Sequence, residues 1–199
     1  MLGKSDTRPR LPVGVARRVR EGPSALLPDR KRLKTEAMAT ISISERTEQP
    51  CAVVRERVRI DQLPAFFSRA FADAMTALTA QGRHPTGPPF GKYYGMPTDI
   101  VDVEAGFPTS QPIEPSGSVV PGALPGGRVV EAIHVGSYDT LQEAYADVQR
   151  YFRDHDLTPG EVMWESYLSD PSAEPDPARW RTQISWPVIE GPDAPASTR

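Results

Sequence analysis

The stretch Val162-Met163-Trp164-Glu165-Ser166-Tyr167-Leu168 places one acid in the middle of an otherwise largely apolar segment. Its hydrophobic and aromatic residues favour a β-strand. Because side chains alternate along a strand, Met163, Glu165 and Tyr167 share one predicted face, and Trp164 and its even-numbered neighbours share the other. This segment therefore predicts a strand that carries a carboxylate into, or next to, a protein core.

Glu165 needs a physical explanation in such a strand. A buried carboxylate without a partner is costly or acquires a raised pKa, so it requires solvent, a cation or hydrogen bonds. Three interpretations stay open from the residues alone. The acid faces solvent on an edge strand, pairs with Arg128 or Arg181, or lines a cavity and meets a ligand.

A similar segment occurs earlier in the chain, and it indicates an internal repeat. Phe90–Tyr94 (FGKYY) laid over Met163–Tyr167 (MWESY) places Tyr94 on Tyr167 and Lys92 on Glu165. Each segment follows a helical pattern and a Pro/Gly-rich turn. The chain is thus interpreted as two β-α-β-β units.

The predicted elements of each unit follow from periodicity and from turn residues. The first unit comprises a strand over Cys51–Ile60, a helix capped by Asp61 and running through Gln81, and strands over Phe90–Met96 and Asp99–Phe107. The second comprises a strand over Arg128–Val135, a helix opening at Asp139 or Thr140 and ending before Leu157, and strands over Val162–Leu168 and Trp180–Val188.

The two units predict an α+β fold: a curved antiparallel sheet with both helices on one side and a pocket at the pseudo-twofold junction. The Pro/Gly/Ser-rich segment Pro108–Gly127 is predicted to be a connection. Within it, LPGGR (Leu124–Arg128) is predicted to be a hairpin-like turn. It lacks the length and the lysine of a phosphate loop and precedes a strand instead of a helix.

Charge and composition divide the 199 residues into three parts. Residues 1–37 carry ten Lys/Arg against four Asp/Glu, whereas residues 38–199 carry thirteen against twenty-two. Residues 1–37 are predicted to be a disordered basic extension, either a solvated tail or an upstream extension of the gene with Met38 as the natural start. A nucleic-acid-binding arm is the alternative. Residues 38–190 form the predicted domain, and 191–199 a disordered tail.

Cysteine and histidine usage restricts the possible chemistry. The single cysteine, Cys51, excludes an internal disulfide, and one thiol with three scattered histidines predicts no metal site. No cofactor is expected. No apolar stretch is long enough to cross a bilayer, so no membrane association is expected, and a cytoplasmic location fits a reduced thiol.

Aromatic residues gather around both halves of the repeat. Aromatic walls with a few polar groups are usual in small-molecule pockets, and a carboxylate beside them suits a flat cation. Aromatic residues in strands also commonly belong to the hydrophobic core, so at least half of the nine aromatic residues around the repeat are expected to pack in the core and not to line a pocket. The nine are Phe90, Tyr93, Tyr94, Phe107, Tyr138, Trp164, Tyr167, Trp180 and Trp186.

Two further motifs contain residues that could carry chemistry. His134 and Tyr138 could exchange protons, but no nucleophile with a matching base is apparent, and Gly136 with Tyr138 is better interpreted as a strand-to-helix corner. Asp102 and Glu104 share a strand face and are predicted to be solvated, with contact to a ligand as the alternative.

Five segments together resemble a known family, the GyrI-like small-molecule-binding domain, which is the effector-binding domain of AraC-type and MerR-type regulators. The resemblance covers residues 41–189 and rests on PFGKYYGM, DVEAGFP, LPGGRVVEAIHVGSYDTLQEAY, WESYLSDP and WRTQISWPV. It implies the duplicated fold and a pocket at the junction. It also implies that Glu165 contacts the ligand, often a lipophilic cation, with Tyr167 and Tyr94 nearby.

The resemblance implies three roles. The first is a stand-alone protein that binds and sequesters or senses small amphipathic molecules. The second is a hydrolase of strained electrophiles, with Glu165 as general base and Tyr138 or Tyr167 as proton donor. The third is inhibition of DNA gyrase, or contact with a regulator. Residues 1–37 are too short and proline-rich for a helix-turn-helix, so no sequence-specific DNA binding is expected. The ligand-binding residues are predicted to be Glu165, Tyr167, Tyr94, Phe90, Met163, Phe107 and Trp180.

Overall fold

The computed structural model describes residues 40–95 and 98–189. The extension predicted over 1–37 and the tail predicted over 191–199 lie outside these residues. In the described ranges, no helix is both long enough and apolar enough to span a membrane.

The described residues form nine strands and two α-helices. The first half contains β1 (Thr40–Arg46), β2 (Gln49–Arg59), α1 (Leu63–Ala80), β3 (Phe90–Tyr94), β4 (Ile100–Pro108) and β5 (Val120–Leu124). The second half contains β6 (Gly127–Val135), α2 (Leu141–Asp154), β7 (Thr158–Pro159), β8 (Val162–Tyr167) and β9 (Arg181–Ile189).

The strands pair in one antiparallel sheet in the order β1-β6-β9-β8-β3-β4-β2-β5, with β7 added alongside β9. The strands of one predicted unit, β2, β3 and β4, neighbour each other, and so do those of the other, β6, β8 and β9. The two units meet where β3 pairs with β8, in the middle of the order. Both helices cover the same face of the sheet. The predicted α+β class and the duplicated order are confirmed.

Helix α1 is amphipathic, and its small residues let it lie close to the sheet. Phe66, Ala70, Ala74 and Leu78 recur at helical spacing and are all buried against β2 and β4. The predicted cap at Asp61 is wrong: this residue lies in a short 3₁₀ turn, and its carboxylate binds Arg59 instead of a helix N–H.

Helix α2 packs over the second half of the sheet. Leu141, Ala144, Val148 and Phe152 form its buried stripe, as the spacing predicts. A 3₁₀ turn over Tyr138–Thr140 precedes the helix. This turn sets Tyr138 beside the start of α2, which matters for the site described below.

The opposite face of the sheet carries its own small core. It buries Cys51, Val53, Phe90, Leu124, Val129 and Trp164. The Lys92 ammonium lies 2.6 Å from a carboxylate oxygen of Glu104 on this face, and both side chains are buried. The prediction that Glu104 is solvated is therefore wrong, because curling of the sheet encloses it. Asp102 is more open and binds Arg55 at 2.9 Å.

Three local predictions fail, and one strand was not predicted, because tertiary pairing overrides local signals. The segment predicted as a connection contains β5, an edge strand that tolerates Pro121 because only one of its sides pairs. LPGGR is not a hairpin turn, since β5 pairs with β2 and β6 pairs with β1 and β9. Thr158–Pro159, predicted as a turn, pairs with β9, and β1 was not predicted as a strand.

Candidate ligand-binding site

A cavity of about 960 Å³ lies over the junction of β3 and β8, between the N-terminal turns of the two helices. Its lining is mostly apolar and aromatic, as is usual for sites that take small organic molecules. The described residues that line it are Ile60, Leu63, Pro64, Phe67, Phe71, Pro88, Pro89, Tyr93, Phe107, Tyr138, Leu141, Gln142, Tyr145, Glu165, Tyr167, Leu168, Ser169, Asp170 and Pro171.

Glu165 lies at the buried end of this cavity and is only 6% exposed. Three phenols surround its carboxylate. Tyr167 donates to Oε2 at 3.0 Å, and Tyr93 donates to the same oxygen at 3.3 Å, at the long end of the hydrogen-bond range. Tyr145 donates to Oε1. Of the three sequence-based explanations for this acid, the cavity is the one that the geometry matches.

Each phenol reaches the carboxylate from a different element. Tyr93 projects from β3, which pairs with β8 so that Gly91 lies opposite Glu165. Tyr167 is two residues beyond Glu165 on the same strand, and therefore on the same face. Tyr145 reaches down from the second turn of α2. The carboxylate is thus fixed by two central strands and one helix.

Burial dominates the electrostatics of this group. Loss of solvent raises the pKa of Glu165 above its ordinary value, while hydrogen bonds from Tyr145, Tyr167 and Tyr93 oppose that shift. A charge on His134 also acts to lower it. The same burial, with the neighbouring carboxylate, holds the pKa values of the three tyrosines well above their usual range, so they remain hydrogen-bond donors at neutral pH.

Aromatic rings form two walls that meet at Tyr167. On the α1 side, Phe67 stacks on Phe71 with ring centroids 5.7 Å apart, and both rings contact Tyr167 edge-on. On the other side, Tyr138 contacts Tyr167 edge-on at 5.9 Å. Phe107 extends the first wall by packing on Phe71. These rings offer π faces to a flat or cationic guest.

The charged side chains among the described residues that line the cavity are all acidic. Among the described residues that line it, the charged ones are Glu165 and, at the mouth, the exposed Asp170; none is Lys, Arg or His. Arg128 and Arg181, the partners of Glu165 that the sequence suggests, form no hydrogen bond or salt bridge with it; Arg128 is half-exposed and Arg181 is exposed. A cation inside the cavity would therefore face a carboxylate with no Lys, Arg or His among the described lining residues, since His134 acts on Glu165 from outside that lining.

The structure brings together some of the residues predicted for the site. Glu165, Tyr167, Phe107 and Tyr138 line the cavity. Met163 shares their face of the sheet but is buried in the core beneath, so it supports the floor without lining it. Trp180 packs on Tyr138 with centroids 5.0 Å apart, outside the lining.

Tyr94 and Phe90 lie on the opposite face of the sheet. Phe90 belongs to the small second core, and Tyr94 donates to Glu104 while Arg55 stacks 3.7 Å above its ring. The repeat alignment placed Tyr94 on Tyr167, one residue out of phase. A shift by one residue exchanges the two faces of a strand. Tyr93, not Tyr94, shares the face of Tyr167 and Glu165.

Four aromatic residues that line the cavity are absent from the ligand-binding residues predicted from the sequence. Tyr93 is named there only among the nine aromatic residues, and Phe67, Phe71 and Tyr145 are not singled out. Periodicity marks a helix face but does not say which of its residues border a cavity. The signal available was the width of the stripe, because three phenylalanines fall within residues 66–71.

The segment His134–Tyr138 forms the turn between β6 and α2, and local contacts hold it. Gly136 has a φ of 144°, a backbone conformation that residues other than glycine rarely adopt. The Nε2 atom of His134 lies 3.1 Å from both the Ser137 carbonyl oxygen and the Thr140 hydroxyl. Within the described ranges, no three metal-ligating side chains cluster.

A family model for the GyrI-like small molecule binding domain matches residues 39–189. The chain belongs to the GyrI-like family. The residues described here thus include nearly the whole matched GyrI-like domain, with the cavity at its centre. No curated protein matches the sequence significantly.

Solved structures share the GyrI-like fold at low sequence identity. The EcmrR C-terminal domain is 22% identical with a TM-score of 0.65, over 77% of this chain and 99% of that one. In the EcmrR–DNA complex the identity is 21% and the TM-score 0.69, over 77% of this chain and 59% of EcmrR. The chain therefore spans somewhat more than half the length of EcmrR.

Two further structures share the fold at lower scores. SAV2435, solved bound to tetraphenylphosphonium, is 12% identical with a TM-score of 0.54, over 75% of this chain and 93% of that one. A hydrolase from Listeria innocua is 14% identical with a TM-score of 0.55, over 75% and 91%. At these identities the likeness concerns the fold alone.

Proposed function

We propose that this protein binds small amphipathic cations bearing aromatic groups, and that it thereby sequesters or senses toxic compounds in the cytoplasm. The observation that carries the proposal is Glu165, a buried carboxylate at the end of an aromatic cavity whose described lining holds no Lys, Arg or His. The buried free thiol of Cys51 is in keeping with a reducing compartment.

The physical case rests on two contributions. The apolar walls remove a lipophilic guest from water, at about 25 cal/mol for each Å² of apolar surface buried. The carboxylate and the π faces of Phe67 and Tyr167 then favour a positive charge over a neutral or negative one. The tetraphenylphosphonium bound to SAV2435 supports this ligand class on the same fold.

The test compares two probes of one shape and opposite charge. Titration calorimetry of the full chain should detect tetraphenylphosphonium, whereas tetraphenylborate should bind at least tenfold more weakly. Glu165→Gln should fold normally and lose at least tenfold in phosphonium affinity, about 1.4 kcal/mol. Glu161→Gln, which neutralises an exposed acid just before β8, is the matched control. Unchanged phosphonium affinity in Glu165→Gln would contradict the proposal.

A second candidate is a hydrolase of strained electrophilic molecules. It is favoured by burial, which raises the pKa of Glu165 and so makes its carboxylate a stronger base, and by the Tyr138 and Tyr167 phenols within the same cavity. The test is incubation with strained electrophiles followed by mass spectrometry of the products. Water addition that disappears in Glu165→Gln would support this candidate, and unreacted compound would leave binding alone.

A further inference from the structure

The hydrogen-bonding capacity of Glu165 is largely occupied by the protein itself. An ionised carboxylate has two oxygens with about two lone-pair sites each. Oε2 receives the hydroxyls of Tyr167 at 3.0 Å and Tyr93 at 3.3 Å, and Oε1 receives that of Tyr145. Three of roughly four sites are therefore filled before any ligand enters.

We infer that the cavity selects cations without hydrogen-bond donors, such as quaternary ammonium and phosphonium ions, over protonated amines of the same framework. This inference rests on the proposed function and names the chemical class within it. It follows from the geometry around Glu165: the carboxylate supplies negative charge at close range, but almost no free acceptor.

A protonated primary amine carries three N–H donors that water satisfies in solution. In the cavity, at most one of them can reach the remaining site on Oε1 of Glu165. The other side-chain acceptors in the described lining are the phenol oxygens and the groups of Gln142, Ser169 and Asp170. Three of the four phenols already donate to the carboxylate, and Tyr138 is the fourth. An amine seated beside Glu165 finds at most one free carboxylate site, and each N–H left without a partner there is costly.

A donor-free cation avoids this cost. Its charge is spread over alkyl or aryl groups, which pack against Phe67, Phe71 and Tyr138 and lose little on leaving water. The Coulomb attraction to Glu165 acts without a hydrogen bond, because it depends on distance and local dielectric. The three phenols around Glu165 therefore favour a cation that has no hydrogen-bond donors over one that has them.

The experiment uses two probes that differ at the cationic centre: biphenyl-4-ylmethyl-trimethylammonium and biphenyl-4-ylmethylamine. At neutral pH both carry one positive charge. Calorimetry of the full chain should give at least tenfold tighter binding of the quaternary ion. Equal or tighter binding of the amine would overturn the inference.

Removing one phenol separates hydrogen bonding from size and hydrophobicity. Tyr145→Phe frees a lone pair on Oε1, so the amine should bind more tightly. The affinity of the quaternary ion divided by that of the amine should then fall at least threefold. Tyr151→Phe is the control on the same helix; Tyr151 stacks on His155 and does not line the cavity. A ratio unchanged by Tyr145→Phe would overturn the inference.

Two outcomes keep this inference distinct from the proposed function. If neither biphenyl probe nor tetraphenylphosphonium binds, the proposed function fails and the selectivity falls with it. If all three bind but the amine matches the quaternary ion, the proposed function stands and the selectivity alone is wrong. Should Tyr145→Phe fail to fold, Tyr167→Phe frees a lone pair on Oε2 and serves the same comparison.

Discussion

Gly91 lies directly opposite Glu165 where β3 pairs with β8. A Cβ atom at Gly91 would lie 2.8 Å from the ring of Phe67 and 3.1 Å from the hydroxyl oxygen of Tyr167. The absence of a side chain therefore makes room for one aromatic wall and for the phenol that donates to Glu165. The shape of the cavity depends on this pair as much as on the acid itself.

Gly91→Ala should disturb the site because its methyl group overlaps the Phe67 ring. We expect a loss of about 1 to 3 kcal/mol in the free energy of unfolding, typical of overpacking, and weaker phosphonium binding. Urea unfolding and calorimetry measure the two effects. Gly160→Ala is the matched control, since a Cβ there meets Pro187 at an ordinary 3.4 Å. Wild-type behaviour of both variants would contradict this role of Gly91.

The raised pKa of Glu165 predicts how stability depends on pH. The folded state holds a proton on Glu165 more tightly than the unfolded state, whose value is near the ordinary 4.5. The contribution of Glu165 is thus most favourable below that value and declines as pH rises through the folded pKa. Subtracting the stability profile of Glu165→Gln from that of the wild type isolates this decline. A flat difference profile would show that the pKa is not raised.

Binding of a permanent cation should release a proton from Glu165 at pH values below its raised pKa. The cation favours the ionised carboxylate, so affinity should increase with pH and level off above that pKa. The measurement is calorimetry in buffers of different ionisation enthalpy, which counts protons released per ligand bound. His134, Tyr93, Tyr145 and Tyr167 also face this carboxylate, so Glu165→Gln provides the baseline. Equal heats in all buffers would contradict proton release.

Phe67→Leu should weaken binding of aromatic cations while largely preserving the fold. Leucine keeps much of the apolar volume but removes a π face, which is worth about 0.5 to 2 kcal/mol to a bound cation. Phe66→Leu is the contrasting change one residue earlier, because Phe66 is buried in the core and does not line the cavity. It should lower stability and leave affinity nearly unchanged. If Phe66→Leu weakened binding and Phe67→Leu did not, Phe67 would not be part of the wall that contacts the ligand.

Lys92→Met should reduce stability without affecting ligand binding. It removes the buried cation beside Glu104 and leaves only the more exposed Arg55 at 3.9 Å, so the loss should approach the roughly 3 to 5 kcal/mol found when one member of a buried pair is removed. Replacing both residues by Met should recover much of that loss. Denaturant unfolding gives the stabilities, and phosphonium titration gives the affinities. A tenfold loss of affinity in a folded Lys92 variant would contradict the prediction, because it would show that the Lys92–Glu104 pair influences the cavity on the other face of the sheet.

Several features of the site were predictable from local sequence. Alternation along Val162–Leu168 placed Glu165 and Tyr167 on one face of a strand, and the structure has them there. The three interpretations of Glu165 could not be separated at that stage, because burial depends on what covers the strand. The repeat alignment failed by one residue, since FGKYY holds adjacent tyrosines and alternation alone does not say which one faces the helices.

Local patterns were enough to predict the strands and helices of the two units, their order and the face that Glu165 shares with Tyr167, because periods of 2 and 3.6 residues are local properties. The groups that surround that acid follow from long-range packing. Tyr93 arrives through the pairing of β3 with β8, Tyr145 through the rotation of α2 over the sheet, and Phe67 through the space left at Gly91. These contacts join residues far apart in the chain, and their geometry is set by packing, which local patterns do not encode.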